Sequence, residues 1–81
     1  MGIVGAGSLV IGGNRLVGRA GVGVRADETA GCWIFGNSFR ALATDGGPHV
    51  ELGPGTSACR VVVDRDDIVH DNGTDNRITW R

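Results

Sequence analysis

The sequence predicts an all-β chain in which short strands stack in register, a solenoid of about three coils with little or no helix. Three observations predict it. Related segments recur about every two dozen positions, apolar residues inside them alternate with a period of two, and 15 glycines scattered among 81 residues interrupt nearly every window in which a helix could start.

The repeat is read first. Gly21-Val22-Gly23-Val24 and, after a turn, Thr29-Ala30-Gly31-Cys32-Trp33-Ile34-Phe35 overlay His49-Val50-Glu51-Leu52 and Thr56-Ser57-Ala58-Cys59-Arg60-Val61-Val62. Cys32 falls on Cys59 and Ile34 on Val61 at a spacing of 27; Val22 falls on Val50 and Val24 on Leu52 at 28. Towards the N-terminus, Leu9 to Leu16 overlays Cys32 to Phe39, with Asn14 on Asn37 at 23; towards the C-terminus, Arg77-Ile78-Thr79-Trp80 overlays His49 to Leu52 at 28.

Within each coil the alternation assigns faces. Val22, Val24, Val50, Leu52, Ile78 and Trp80 are expected inward, and Gly23, Glu51 and Thr79 outward. Strands this short cannot bury an apolar face singly, so equivalent strands must stack roughly 4.8 Å apart and same-column residues touch. The expected interior columns are Leu9, Cys32 and Cys59; Ile11, Ile34 and Val61; and Leu16, Phe39 and Ile68. Gly13-Asn14 and Gly36-Asn37 mark bends, where asparagine tolerates a left-handed backbone; Val63-Asp64 takes that place in the next coil.

Composition bounds the function. Residues 1–81 make one small domain, and a globule of that size buries only about 60% of its unfolded surface, so a partner is expected to help stabilise it. Two cysteines are too few for a disulfide framework, and a net charge of −1 offers no basic field for nucleic acid or an anionic membrane. The apolar runs are far shorter than the roughly 20 residues of a membrane span, and Met1 to Gly13 carries no basic residue of a signal peptide. No nucleic acid, no membrane and no export are therefore expected.

Runs such as Cys32-Trp33-Ile34-Phe35-Gly36-Asn37-Ser38-Phe39, followed by a glycine-rich turn and Gly21-Val22-Gly23-Val24 or His49-Val50-Glu51-Leu52, resemble the repeats of pectate-lyase-like right-handed parallel β-helices. The resemblance spans residues 8 to 80. It implies that fold, and a choice among polysaccharide lyases and hydrolases, phage tailspikes and other virion parts, and surface adhesins.

Each candidate chemistry has a bland rival. Ile3-Val4-Gly5-Ala6-Gly7-Ser8 looks like a dinucleotide fingerprint, but Val10 and Gly12-Gly13 deny it the helix and third glycine it needs, so strands and turns are expected. Asp64, Asp66, Asp67, Asp71 and Asp75 could serve glycosidic hydrolysis or calcium, yet the other blocks of a polygalacturonase are missing and solvated turns are preferred. Cys32, Cys59, His49 and His70 lack zinc spacing, so buried free thiols and surface histidines are expected, with no metal and no cofactor. Asn72-Gly73-Thr74 matches a glycosylation sequon but reads as a turn.

The functional expectation follows from the ends of the stack. Neither looks like a polar cap, and Trp80 on an uncovered inward face would forfeit on the order of 2 kcal/mol of burial. A structural, non-enzymatic virion-type protein is expected, a head-decoration or spike-like component located in the particle, or otherwise cytoplasmic. It would form a homo-oligomer, with a trimer favoured, or join a larger assembly through Trp33, Phe35 and Trp80. The alternatives are a carbohydrate-binding or polysaccharide-cleaving module using the outward row Gly23, Glu51 and Thr79 with flanking Arg25, His49 and Arg77, or an excerpt of a longer β-helix.

Overall fold

Runs of Val, Ile and Phe between glycines are too short for a helical stripe, but their β-branched and aromatic side chains fit the pleat of a strand. The computed structural model describes residues 3–6, as backbone alone, and residues 10–81. Among these are ten strands and no helix: β1 (Ile3–Ala6), β2 (Val10–Gly12), β3 (Arg15–Arg19), β4 (Val24–Asp27), β5 (Trp33–Phe35), β6 (Ser38–Ala43), β7 (Val50–Leu52), β8 (Arg60–Val63), β9 (Val69–Asp71) and β10 (Arg77–Trp80). The chain is all-β, as its sequence predicts.

Three parallel sheets result. The first has the order β1-β4-β7-β9, the second β2-β5-β8-β10, and the third β3-β6. The chain visits first, second and third sheet in turn, repeats that cycle, and then visits only the first and second, twice.

Register is set by which side chains must face inward. In the first sheet Ile3 pairs with Val24, Val24 with Val50 and Val50 with Val69, at spacings of 21, 26 and 19. In the second, Ile11 pairs with Ile34, Ile34 with Val61 and Val61 with Ile78, at 23, 27 and 17. In the third, Arg15 pairs with Ser38 at 23 and, beyond an irregularity, Val17 with Ala41 at 24.

Two of the expected alignments are corrected. β4 meets β7 as Val24 on Val50 and Ala26 on Leu52, two residues from the expected register. A shift of two preserves face, so Val24 stays inward, but Val22 is only half-buried and precedes the strand. The second correction is larger. Arg77 to Trp80 lies on Arg60 to Val63, not on His49 to Leu52, because Val69–Asp71 occupies the place beside β7. The last repeat is short: Asp64 to Ile68 makes a turn, closed by the Asp67 N–H donating to the Asp64 carbonyl, where earlier repeats have a third-sheet strand. Ile68 is accordingly 45% exposed and does not join Leu16 and Phe39 in the interior.

The core lies between the sheets. Val24, Ala26, Val50 and Leu52 enter from the first, Ile11, Ile34, Val61 and Val63 from the second, and Leu16, Phe39 and Leu42 from the third. The column Ile11, Ile34, Val61 stands as expected and is extended by the partly buried Ile78. Leu9 lies outside the described residues, but Cys32 and Cys59 stack as expected and are joined by a disulfide, with Cα atoms 4.4 Å apart. The expected free thiols are thus corrected: two cysteines at the same inward position of adjacent strands come within bridging distance.

Polar side chains tie the turns together. Asn37 Oδ1 accepts from the Asn14 backbone and side-chain amides at 3.1 and 3.2 Å, and Asn37 Nδ2 donates to the Ile11 carbonyl at 3.1 Å. The bends themselves are left-handed at Gly13 and Gly36, φ 68° and 63°, so glycine supplies the conformation expected of asparagine, which instead holds the ladder. Buried Thr29 and Thr56 bond to the carbonyls of Asp27 and Gly53 at 2.7 and 2.8 Å. No buried side-chain nitrogen or oxygen among the described residues lacks a partner.

Candidate functional site

A parallel sheet with one face in the core displays its alternate residues on the other face as straight rows. On the outer face of the second sheet one row runs Val10, Trp33, Arg60, Arg77, and the next Gly12, Phe35, Val62, Thr79. Val10 is 71% and Trp33 47% exposed. The Trp33 and Phe35 ring centroids lie 4.4 Å apart at an interplanar angle of 32°. Gly12 leaves room for the Phe35 ring, which a Cβ there would displace. Trp33, Arg60, Val61, Val62, Arg77 and Thr79 line a groove of about 330 Å³ on this face.

Electrostatically the groove is one-signed. Arg60 and Arg77 are register partners in adjacent strands, both exposed, and neither forms an ion pair with any described residue. Like charges placed directly opposite each other on one sheet face are destabilising. An anion set between them would relieve that repulsion.

Trp80 lies elsewhere. It pairs with the buried Val63 and so has the expected inward parity, but β10 is the last strand of its sheet and the indole is 51% exposed. Its Nε1–H donates to the Asp67 carbonyl at 3.0 Å. The structure therefore brings Trp33 and Phe35 together and leaves Trp80 on the terminal strand of the second sheet.

A wider cleft of about 670 Å³ flanks β6, where the last repeat supplies a turn instead of a third-sheet strand. Ser38, Phe39, Arg40, Leu42, His49 and Asp64 to Asp67 line it. His49, expected as solvated surface, is half-buried: Nδ1 accepts from the Ile68 N–H at 2.9 Å and the ring packs on Phe39 at 5.5 Å. Of the five clustered aspartates, Asp64, Asp66 and Asp67 line this cleft. Asp71 instead accepts from the Gly73 N–H and Asn76 Nδ2, and Asp75 has φ 55° in a turn. No three His, Cys, Asp or Glu side chains among the described residues converge as metal ligands.

The expected outward row Gly23, Glu51, Thr79 does not form. Gly23 is buried, with the His49 carbonyl 2.5 Å from where its Cβ would be, and Thr79 belongs to the second sheet. Glu51 lies instead between Arg25 and His70, and Arg25 pairs with Glu51 at 3.8 Å and Asp27 at 3.3 Å. Of its flanking residues only Arg25 adjoins it. Asn72 to Thr74 turns the chain back to bridge Ser57.

The opposition of Arg60 and Arg77 was not legible, since their alignment depends on the shortness of the last repeat. A signal was present: Arg60-Val61-Val62-Val63 and Arg77-Ile78-Thr79-Trp80 share a leading arginine and an inward β-branched second residue. No described helix is long and apolar enough to cross a membrane. Comparison of the chain with known protein families, with curated proteins and with solved structures finds no match.

Proposed function

We propose that the chain is a short right-handed parallel β-helix of about three coils that works as a structural assembly module of the virion type, by packing against other subunits and not by catalysis. Support for the coil comes from the fixed order in which the chain visits its sheets, with repeat spacings that agree closely between the first and second sheets within each turn. The observation that carries assembly is the outward row Val10 and Trp33, braced by Phe35. Contiguous apolar surface of this kind marks interaction sites. Side-by-side association about a threefold axis would cover it.

Light scattering coupled to size exclusion tests this reading. The chain should elute as an oligomer, a trimer on this account, and Trp33→Ser should shift it towards monomer with the β spectrum unchanged. A wild-type chain monomeric at every concentration up to the millimolar range would refute it.

A second reading, a carbohydrate-binding module, is favoured by one feature: an exposed indole beside two guanidiniums in a groove of one-ring size. It expects retention on a glycan array that Trp33→Ser abolishes. An array with no retained glycan would dispose of it.

A further inference from the structure

The groove on the second sheet and the acidic turn after β8 carry opposite charge on one chain and cannot meet within it. Arg60 and Arg77 open β8 and β10, whereas Asp64 to Asp67 follows the end of β8. Four residue steps of extended strand lead from Arg60 to Asp64, roughly 13 Å at about 3.3 Å per residue. Each side has unspent charge. Arg60 and Arg77 are register partners with no ion pair to any described residue, and Asp66 is exposed with no described partner. Of the rest of the turn, Asp64 pairs with Arg81 at 3.9 Å and Asp67 Oδ2 accepts from the Asp64 N–H at 2.8 Å, while Arg65 is exposed, so that three aspartates and one arginine leave residues 64–67 a net charge of −2. The turn is thereby held in shape with Arg65 and Asp66 at its apex.

We propose that the groove of Trp33, Arg60 and Arg77 receives the Asp66 turn of a second copy of this chain. The inference rests on the assembly reading above and specifies its contact. The Asp66 carboxylate lies between the two guanidiniums, relieving their repulsion, and the turn backbone covers the Trp33 ring. Guanidinium and carboxylate match in geometry as well as sign. Two copies related by a twofold would make both groove-to-turn contacts at once, whereas head-to-tail repetition about a threefold axis would close a trimeric ring.

Charge exchange tests this. Sedimentation velocity is measured on the wild-type chain, Arg60→Glu, Asp66→Arg and the double variant Arg60→Glu/Asp66→Arg, at low salt and at high salt. Wild-type association should weaken with salt. Each single variant should associate about tenfold more weakly or worse, with an unchanged circular dichroism spectrum, and the double variant should recover part of the loss, because the exchanged pair attracts while the unchanged Arg77 does not. Arg77→Glu provides a second groove variant should Arg60→Glu perturb β8. A wild-type oligomer indifferent to all these changes would overturn this contact while leaving assembly intact. So would loss in Arg60→Glu with Asp66→Arg associating as the wild type, which would mean that the groove takes some other anion, such as an acidic glycan. A monomeric wild type would overturn the assembly reading itself.

Discussion

Gly21 and Gly23 stand two residues apart at the approach to β4, and substituting each by alanine should have opposite effects. A Cβ at Gly21 would meet nothing within 4 Å; one at Gly23 would sit 2.5 Å from the His49 carbonyl and 2.9 Å from the Phe39 ring. Neither glycine has a left-handed φ, so backbone strain does not distinguish them. The His49 carbonyl cannot give way, because it already accepts the Val24 N–H at 2.8 Å and so joins β4 to β7. Gly23→Ala should therefore cost about 1 to 3 kcal/mol, as is typical of overpacking, while Gly21→Ala should stabilise by about 0.4 to 1 kcal/mol through the unfolded chain. At about 4 to 8 °C per kcal/mol for a domain of this size, Tm should fall by roughly 4 to 24 °C in the first and rise by a few degrees in the second. Thermal unfolding followed by far-ultraviolet circular dichroism reads both. Equal shifts in the same direction would refute the placement of Gly23 under β7 and return it to the outer face that alternation alone assigns.

Three further outcomes are expected. Leu52→Asp places an uncompensated carboxylate at a position with no exposed surface and should abolish the cooperative transition, whereas Val17→Asp, 50% exposed, should shift the midpoint little in the same melt. Asn37→Ala strands the Asn14 N–H and the Ile11 carbonyl and should cost about 1 to 3 kcal/mol in urea titration, with Asn14→Ala milder because Asn37 keeps its bond to Ile11. Reducing the disulfide between Cys32 and Cys59, at a sequence separation of 27, should lower stability by about 3.5 kcal/mol on loop-entropy grounds; an unchanged urea midpoint with and without reductant would contradict the cross-link.

What the sequence reveals of this fold depends on whether a residue's place is set by its neighbours or by turn length. Ile11, Ile34 and Val61 were legible because each lies in a short β-branched run with the same offset from a Gly-Asn or Cys landmark. Asn14 and Asn37 were legible as a pair for the same reason, although their role is to bond to each other while glycine bends the chain. Alternation placed Val24, Val50 and Leu52 inward correctly, since a shift of two residues leaves faces unchanged. It failed at Gly23, whose face is decided by the approach of the His49 carbonyl and the Phe39 ring from distant segments.

Of the candidate contacts, Trp33 and Phe35 share an outer face because they are two residues apart in β5, which the sequence states directly. Trp80 does not join them. Its place, and the opposition of Arg60 and Arg77, follow from a shortened last repeat in which the turn at Asp64 to Ile68 replaces a strand; an overlay that assumes constant length carries β10 into the wrong sheet. The Cys32 to Cys59 bridge depends on the rotamers that direct two stacked side chains, which residue spacing does not encode.

The central claim is that side chains one repeat apart lie against each other, with the repeat contracting at the end so that Ile78 reaches Val61. Methyl-methyl nuclear Overhauser contacts test it most directly. Contacts are expected from Ile11 to Ile34, from Ile34 to Val61 and from Val61 to Ile78; contacts from Ile78 to Val50 in place of Val61 would contradict that register.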